Sequence, residues 1–358
     1  MRKLRQFTDR NLVIVCEGTT TEYNYITEAC DYAKRQGVFP FTGCTVLPAV
    51  AEVVVRNPNR KAKARVMGSR KEYRYYSKTE ATEEDYKRYC GQPTRYLREA
   101  QLFIEEDGYV EGWAVYDKDR HSDHAGAKEL LDSDSRLHVA FSAYSFEEWL
   151  LCHFEANPKG FGKSECADKE KKSYECGTSR HPADDCHGRD CIAGRLRETG
   201  YIPDFDKTMR GLFERVTLGP DGVVREKPLV NAAYLRHIAG DGNRFGCNPY
   251  TDVDRLVLRI MDDGREYTWH LFGEEITDGG RRFRVEADDG EIVIVNSGGA
   301  ALLLPAGCAS MREEGKGPKG YPAGKMILNR GEELRIPHAS GGVLHITLGS
   351  RHLLWRVD

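Results

Sequence analysis

The sequence predicts an α/β domain with a parallel sheet over residues 1–263 and a small all-β domain over residues 264–358. Three observations predict this division. Short β-branched runs alternate with amphipathic stretches in the first part, as in α/β units. In the second part, short alternating segments separated by Gly pairs and Asp-Gly turns are typical of a sandwich or jelly roll. Sixteen of the 36 glycines lie in this second part.

The elements of the first domain follow from its apolar runs. The first strand, Asn11–Cys16, is apolar almost throughout, as expected of a strand buried on both faces. A helix should follow to about Arg35, with Thr19 or Thr20 as the N-cap and Glu22 as a capping carboxylate. Further strands are expected at 44–55, 112–116 and 137–142, and further helices at 82–106, 124–131, 146–154, 205–215, 231–238 and 251–262.

The second domain should contain strands at 266–272, 291–296, 332–338, 343–348 and 352–357. Residues 251–358 carry 14 Lys/Arg and 17 Asp/Glu, so this part of the chain is slightly acidic. An acidic surface repels nucleic acid, and the β-domain therefore fits a protein-contact, oligomer-contact or structural module better. The whole chain has a net charge of −3, which excludes a wholly basic DNA-coating protein but permits a local basic patch.

A basic insert, residues 56–76, interrupts the α/β pattern. It holds eight Lys/Arg, one acid and three interleaved tyrosines. Cations for phosphates and aromatic faces for unpaired bases are what a nucleic-acid contact requires, although a charge run can also be a solvated loop. We expect nucleic acid to be contacted by Arg60, Lys61, Lys63, Arg65, Arg70 and Lys71.

A second insert, residues 155–199, is polar and contains four clustered cysteines and two histidines. The chain has eleven cysteines, an odd number that cannot form a complete disulfide set. A structural Zn²⁺ could organise a segment that lacks its own core, yet the spacing lacks a close C-x2-C pair. A redox-sensitive or free-thiol loop is the alternative. The expected zinc ligands are Cys166, Cys176, Cys186 and Cys191.

Carboxylates follow the predicted strands of the first domain. Glu17 comes directly after the first strand, Asp117 and Asp119 after the third, and Glu147 and Glu148 just beyond the fourth. The carboxyl ends of parallel strands form the ligand crevice of such sheets. Acidic groups gathered there repel one another unless a cation lies between them, and Mg²⁺ suits such a set. Each motif alone could also be an ordinary turn or an acidic surface loop.

Five segments resemble RloB-like proteins of the Toprim superfamily. Residues 13–22 (VIVCEGTTTE) are similar to the I-V-x-E-G-x-x-T-E opening, and residues 116–119 (YDKD) to the D-x-D strand end. Residues 141–154 (FSAYSFEEWLLCHF) resemble the S-N-P-x-F-E-x-W-L-L-x-H-F segment. Asp206-Lys207 fits the Y-x-K position, and residues 248–253 (NPYTDV) fit N-P-x-T-x-V. The resemblance spans about 250 residues and excludes the β-domain.

This resemblance implies a metal-dependent nuclease fold, shared with topoisomerases, primases and OLD-type nucleases, that acts in prokaryotic defence against phage. Glu17 would be the general acid/base or a metal ligand, Asp117 and Asp119 would hold Mg²⁺ or Mn²⁺, and Glu147 would bind a second ion. The chain has Ala143-Tyr144 where the family usually has Asn-Pro, in the loop before Glu147. Some relatives work beside an ABC-type ATPase, so the resemblance also implies such a partner.

The chemistry that suits these residues is phosphodiester cleavage of DNA or RNA, including transfer RNA. Two ions can stabilise the attacking water and the departing oxygen. Lys207, His153 or an Arg of the basic insert could neutralise the phosphate, while Phe146 and Trp149 are expected to be core anchors. A Toprim-like sensor that binds without cutting and signals through the β-domain is the main alternative. A primase-like enzyme is less favoured, because no accompanying zinc-ribbon or template-binding segment is recognisable.

The sequence contains no apolar stretch near the roughly 20 residues that cross a bilayer. Met1-Arg2-Lys3 could imitate the start of a signal peptide, but the apolar run that follows is too short for export. We therefore expect a cytoplasmic protein without a membrane partner. Homo-oligomerisation stays open.

Overall fold

A computed structural model describes residues 10–48, 93–118, 124–164, 191–240, 244–288, 290–312, 319–337 and 342–357. The chain divides into two compact units, which we call unit 1 (Met1–Asp263) and unit 2 (Gly264–Asp358). Within the described ranges, no helix is both long and apolar enough to span a membrane.

Unit 1 is built on a five-stranded sheet with the order β2-β1-β3-β4-β5. The first four strands are parallel, as predicted, and only β5 runs antiparallel to its neighbour β4. Since β1 and β3 are adjacent, with Cys16 opposite Val115, the residues that follow these two strands lie side by side. The strand bounds are β1 Asn11–Cys16, β2 Gly43–Pro48, β3 Glu111–Asp117, β4 Leu137–Ala143 and β5 Tyr250–Thr251.

Helices cover both faces of this sheet. Helix α1 contacts β2 and α7, and α7 contacts β4, while α2 contacts β1 and β3 and α3 contacts β4. Alternate residues of a strand point to opposite faces, which explains why Leu12 to Cys16 are all fully buried. The helix bounds are α1 Thr21–Gln36, α2 Thr94–Asp107, α3 His124–Ser133, α4 Glu147–Cys152, α5 Ile192–Glu198, α6 Glu226–Ala239 and α7 Val253–Ile260.

Local sequence explains which face α1 buries and how the helix ends. Its buried face is formed by Tyr25, Ile26, Ala29, Cys30 and Ala33, which recur at helical spacing. Gly37 ends the helix in the left-handed conformation (φ 70°), and its N–H donates to carbonyls of the last turn. At the start, Thr20 occupies the predicted N-cap position, but its side chain makes no capping hydrogen bond.

The prediction of a helix at residues 205–215 was wrong. The segment consists mainly of turns, and helical structure begins only with a short π-helix at Phe213–Thr217. The Asp206 carboxylate accepts the Thr208 N–H (2.8 Å), a local bond that competes with a helix. Gly211 then adopts φ 77°, which breaks the right-handed path. A single 3₁₀ turn, Arg244–Gly246, precedes β5.

Unit 2 is the predicted all-β region. Its strands form sheets with the orders β12-β11-β15-β16-β6, β14-β9-β8-β7 and β10-β13. All pairings are antiparallel except β16 with β6. Side chains of all three sheets share one apolar core. The bounds are β6 Glu266–Trp269, β7 Glu275–Asp278, β8 Arg281–Asp288, β9 Glu291–Asn296, β10 Leu302–Leu304, β11 Ala309–Arg312, β12 Lys319–Tyr321, β13 Met326–Leu328, β14 Glu333–Pro337, β15 Gly342–Leu348 and β16 Arg351–Val357.

Candidate functional site

The carboxyl edge of the unit 1 sheet brings Glu17 and Asp117 together. The Glu17 backbone N–H donates to the Val115 carbonyl of β3 (2.8 Å). Both oxygens of the Glu17 carboxylate accept hydrogen bonds: Oε2 from the Asp117 N–H (2.9 Å) and Oε1 from the Tyr96 hydroxyl (3.3 Å). These bonds hold the Glu17 carboxylate against the end of β3, where Asp117 is the last residue.

Glu22, in the first turn of α1, belongs to the same acidic group. Its Oε1 accepts the Gly18 N–H (2.6 Å), so the carboxylate folds back toward the loop that contains Glu17. Burial raises the pKa of Glu22 to about 7, and the negative charges of Glu147 and Glu17 contribute to the rise. A Cβ at Gly18 would overlap Glu22 Oε1, so a larger residue at this position would displace the Glu22 carboxylate.

The sequence assigned Glu22 only a capping role, and the structure shows that its carboxylate also belongs to the acidic group. Its carboxylate bonds Gly18, which precedes the helix, and it lies near two other carboxylates. The position of Glu22 in the sequence could have indicated this role. The helix that contains it starts shortly after Glu17, so its first turn lies at the same edge of the sheet.

Glu147 reaches this edge from the start of α4, and its side chain is only 3% exposed. Two hydroxyls donate to its Oε2, from Ser145 (2.5 Å) and from Ser164 (3.1 Å). Its Oε1 lies 3.7 Å from the Lys207 ammonium. Ser145 directly follows Ala143-Tyr144, so the loop that departs from the family pattern still supplies a hydroxyl that orients Glu147.

Lys207 enters the site from the turn region before the π-helix. Its ammonium donates to Ser164 Oγ (3.0 Å), and its carbonyl accepts the hydroxyl of Thr21, the first residue of α1 (2.9 Å). The Thr21 bond places the Lys207 backbone next to the helix turn that carries Glu22. Four acidic residues and one lysine therefore lie near the start of α1, with Asp117 placed there by its backbone N–H: Glu17, Glu22, Asp117, Glu147 and Lys207.

These side chains do not close into a compact set of ion ligands. Among the described residues, no three of these four carboxylates bring one oxygen each within 4.8 Å of one another. Mg²⁺ usually takes one or two protein carboxylates and keeps several waters. An ion bound here would therefore need ligands, such as water, in addition to one or two of these carboxylates.

Several predicted site residues lie outside the described residues. These are Asp119 and all six positions expected to contact nucleic acid, Arg60, Lys61, Lys63, Arg65, Arg70 and Lys71, together with Cys166, Cys176 and Cys186. Of the expected zinc ligands, Cys191 is described. It is buried, and its Sγ accepts the Gly194 N–H at the start of α5 (3.3 Å).

His153 belongs to the core rather than to the acidic site. The Trp149 indole N–H donates to the Tyr25 hydroxyl (2.7 Å), which lies 2.5 Å from the Thr217 hydroxyl. Thr217 Oγ1 lies 3.0 Å from His153 Nε2, and His153 Nδ1 lies 3.0 Å from the Trp149 carbonyl. One assignment of the protons satisfies every group. The Tyr25 hydroxyl donates to Thr217, the Thr217 hydroxyl donates to His153 Nε2, and His153 carries its proton on Nδ1, which donates to the Trp149 carbonyl. Burial lowers the pKa of His153 to about 3, so the ring stays neutral.

Glu148 shows that adjacent acids can have opposite environments. It is fully buried, and within the described part of the chain neither of its carboxylate oxygens has a hydrogen-bond partner. Burial raises the pKa of Glu148 to about 8, and the charge of Glu155 adds to the rise. Glu148 is therefore protonated at neutral pH and is not a member of the acidic group around Glu17. Phe146 and Trp149 are buried, as expected of core anchors.

Comparison with known proteins identifies the family. The model of the RloB-like protein family matches residues 12–260, which is most of the chain and corresponds to unit 1 without its first residues. A comparison with curated proteins finds no match. All four carboxylates and Lys207 lie within the matched residues. Since the match covers more than half of its length, the chain belongs to the RloB-like family.

Proposed function

We propose that this RloB-like chain is a Toprim-type, magnesium- or manganese-dependent nuclease that hydrolyses phosphodiester bonds of DNA or RNA in prokaryotic anti-phage defence. One observation carries the proposal. Glu17 and Asp117 from adjacent parallel strands, Glu22 from α1, Glu147 from α4 and the cation Lys207 gather at one sheet edge. Separate elements deliver these charges to one place.

The donor set fits a hard divalent cation. Carboxylate oxygens are the ligands that Mg²⁺ and Mn²⁺ prefer, and the acidic group supplies them. The Cys16 thiol lies near Glu22, but burial raises its pKa and a protonated thiol is a poor metal ligand. Burial is the main cause of the raised pKa of Glu22, and the negative charges of Glu147 and Glu17 add to it; a cation would offset their repulsion. Glu17, Glu22, Asp117 and Glu147 would hold the ions, together with Asp119. When bound, such ions stabilise charge on the attacking water and the departing oxygen.

The protein side chains would share the remaining work. Glu17, fixed at both oxygens, would accept or return the proton of the attacking water. Lys207 would face the negatively charged phosphate from the Glu147 side of the site. Glu147 is oriented by two serine hydroxyls and would keep one oxygen directed at the site.

The chain also supports a nucleic-acid contact by the basic insert. This insert lies between β2 and α2, and both flanking elements reach Glu17. Pro48, the last residue of β2, is paired with Cys16, and Tyr96 in the first turn of α2 donates to Glu17. The chain on either side of the insert is thus described beside Cys16 and Glu17, and we propose that the six basic residues from Arg60 to Lys71 attract a phosphate backbone.

Two further proposals concern structure beyond the acidic site. We propose a structural Zn²⁺ held by Cys166, Cys176, Cys186 and Cys191, since Cys191 is buried where that segment rejoins the fold. We also propose that unit 2 is a β-sandwich of the jelly-roll kind that serves as a binding or oligomer surface, because three sheets surround one core.

A cleavage assay tests the nuclease proposal. Purified protein is incubated with plasmid DNA and with bulk transfer RNA, with Mg²⁺, with Mn²⁺ and with EDTA. We expect divalent-dependent cleavage that falls by about 100-fold or more in Glu17→Gln and Asp117→Asn, with unchanged thermal unfolding. Glu22→Gln should also reduce cleavage. The matched control is Glu214→Gln, which removes an exposed carboxylate paired only with the surface residue Arg35 among the contacts described.

The same assay separates the proposal from the sensor alternative. A sensor would show no divalent-dependent cleavage in the wild-type protein on either substrate. Adding a co-expressed ABC-type ATPase tests control by a partner, because activity seen only in its presence would mean that the chain is held inactive alone.

A further inference from the structure

The Lys207 ammonium occupies the position of a counter-ion in the acidic site. It lies 3.7 Å from Glu147 Oε1, and the side chain of Glu147 is almost completely buried. A buried carboxylate without a compensating charge is costly, and Glu147 and Glu17 both lie close enough to Glu22 for their charges to raise its pKa. The ammonium therefore supplies positive charge in a place where the protein alone has an excess of negative charge.

The hydrogen bonds around Glu147 leave one of its oxygens for a cation. Ser145 and Ser164 both donate to Oε2, while Oε1 faces Lys207. A divalent ion that uses Glu147 would therefore approach the same oxygen that Lys207 now faces. Two cations cannot both lie against one carboxylate oxygen without strong mutual repulsion.

Lys207 has a second attachment that does not involve this oxygen. Its ammonium donates to Ser164 Oγ at 3.0 Å, which is shorter than its 3.7 Å distance to Glu147. Its backbone carbonyl is bonded to Thr21. The side chain is also about a third exposed, so it has space to turn toward solvent or substrate. Lys207 can thus give up the ion pair and remain at the site.

We propose that Lys207 and the divalent ion compete for Glu147, so that Lys207 sets how tightly the site binds metal before substrate arrives. This inference rests on the proposed nuclease function. In the absence of metal, Lys207 neutralises the acidic group and stabilises the folded site. When metal and a phosphate substrate are both present, the ammonium is released from Glu147 Oε1 and becomes available to the phosphate, still held by Ser164.

If Lys207 and the metal ion compete for Glu147, replacing Lys207 should strengthen metal binding, although loss of a site residue usually weakens it. Mn²⁺ binding to the full-length protein is measured by the loss of the free Mn²⁺ EPR signal. Mn²⁺ is a hard ion and does not favour the cysteine cluster. We expect Lys207→Met to bind Mn²⁺ about tenfold more tightly than the wild type, because one nearby positive charge is gone. Lys207→Arg, which keeps the charge, should stay within about threefold of the wild type.

Two controls make the result specific. Lys128→Met removes one positive charge from the surface of α3, where Lys128 pairs with Asp132, and should leave Mn²⁺ affinity unchanged. Glu147→Gln should weaken Mn²⁺ binding. Lys207→Gln is the second variant, since its amide can still bond Ser164 and preserve the local fold. Thermal unfolding of each variant verifies that it is folded.

The outcomes distinguish this inference from the proposed function. If Glu147→Gln binds Mn²⁺ as the wild type does, the metal site itself is contradicted. If Glu147→Gln weakens binding while Lys207→Met and Lys207→Gln bind no more tightly than the wild type, the competition is wrong and the nuclease proposal stands. Equal tightening by Lys128→Met would mean that only net charge matters, and this result would also overturn the inference.

Discussion

Glu147 and Glu148 are neighbours in sequence, yet the structure gives them opposite electrostatic states. Glu147 accepts two serine hydroxyls and faces an ammonium, so its charge is compensated. Glu148 points into the interior, and its pKa is raised to about 8 by burial. Because successive residues of a helix are about 100° apart, a pair of acids at a helix start can divide between a site and a core.

The buried Glu148 should make stability depend on pH. In the unfolded chain a glutamate loses its proton near pH 4.5, whereas in the folded protein it keeps the proton to about pH 8. Stability should therefore fall as pH rises from about 4.5 to 8. We expect Glu148→Gln to raise the free energy of unfolding by about 2–4 kcal/mol at pH 8, with little gain at pH 5.

Urea unfolding at pH 5, 6.5 and 8 measures this effect. Glu129→Gln on α3, an exposed position, is the control and should show no such trend. A Glu148→Gln variant that is destabilised equally at all three pH values would show that Glu148 is charged and compensated in the folded protein.

At the same scale, the sequence predicted where the acidic group lies in the fold, but it did not identify all the residues that belong to it. Glu17 and Asp117 could be placed at one edge because a parallel sheet aligns the ends of its strands. Glu22 was missed because a capping role explained it equally well from the sequence. The two serines could not be found, since the bonds of Ser145 and Ser164 depend on how loops return to the site.

At the scale of elements, α1, α4 and the π-helix are joined by one buried chain of hydrogen bonds. Tyr25 comes from α1, Trp149 from α4, His153 from the residue after α4, and Thr217 from the π-helix. Thr217 is central because its hydroxyl accepts from Tyr25 and donates to His153. These hydrogen bonds fix the helix that carries Glu22 relative to the helix that carries Glu147.

Loss of the Thr217 hydroxyl should therefore destabilise unit 1. Thr217→Val keeps the side-chain volume but leaves Tyr25 without an acceptor and His153 Nε2 without a donor. We expect a loss of about 2–4 kcal/mol in the free energy of unfolding, measured by urea denaturation. Thr217→Ser keeps the hydroxyl and should lose less than about 1 kcal/mol. Equal losses in both variants would mean that the methyl group, not the hydrogen bonds, stabilises this region.

Elements with a simple pattern were predicted well. The bounds of β1 and β9 agree with the prediction, because each is an apolar run bounded by polar or turn residues. Six strands of unit 2 were not predicted: β7, β8, β10, β11, β12 and β13. Five of them have only three or four residues, too few to show alternation, and the longer β8 is mostly charged, with only Phe283, Val285 and Ala287 apolar. The false helix at 205–215 had suitable apolar spacing, but the Asp206 turn and Gly211 prevented it. A hydrophobic pattern indicates which face of an element is buried, but it does not show which local hydrogen bonds compete with helix formation.

At the scale of the whole molecule, each unit has its own apolar core. The unit 2 core includes Phe283, Ile294, Leu344 and Trp355, all within residues 264–358. We therefore expect a fragment of residues 264–358 to fold when expressed alone. Circular dichroism should show β-structure, and a proton NMR spectrum should show dispersed methyl resonances. An unfolded fragment would contradict the independence of the two units.

The contacts of Ser164 have one more consequence for the chain as a whole. The N–H groups of Ile192 and Ala193 donate to the carbonyls of Lys163 and Ser164, at 3.3 and 3.0 Å. The described ends of this segment, Ser164 and Cys191, are thus held next to each other. Because adjacent ends do not depend on the number of residues between them, insertions or deletions between Ser164 and Cys191 need not disturb Glu147 or α5. A different segment could therefore be exchanged beside the acidic group while the sheet stays unchanged.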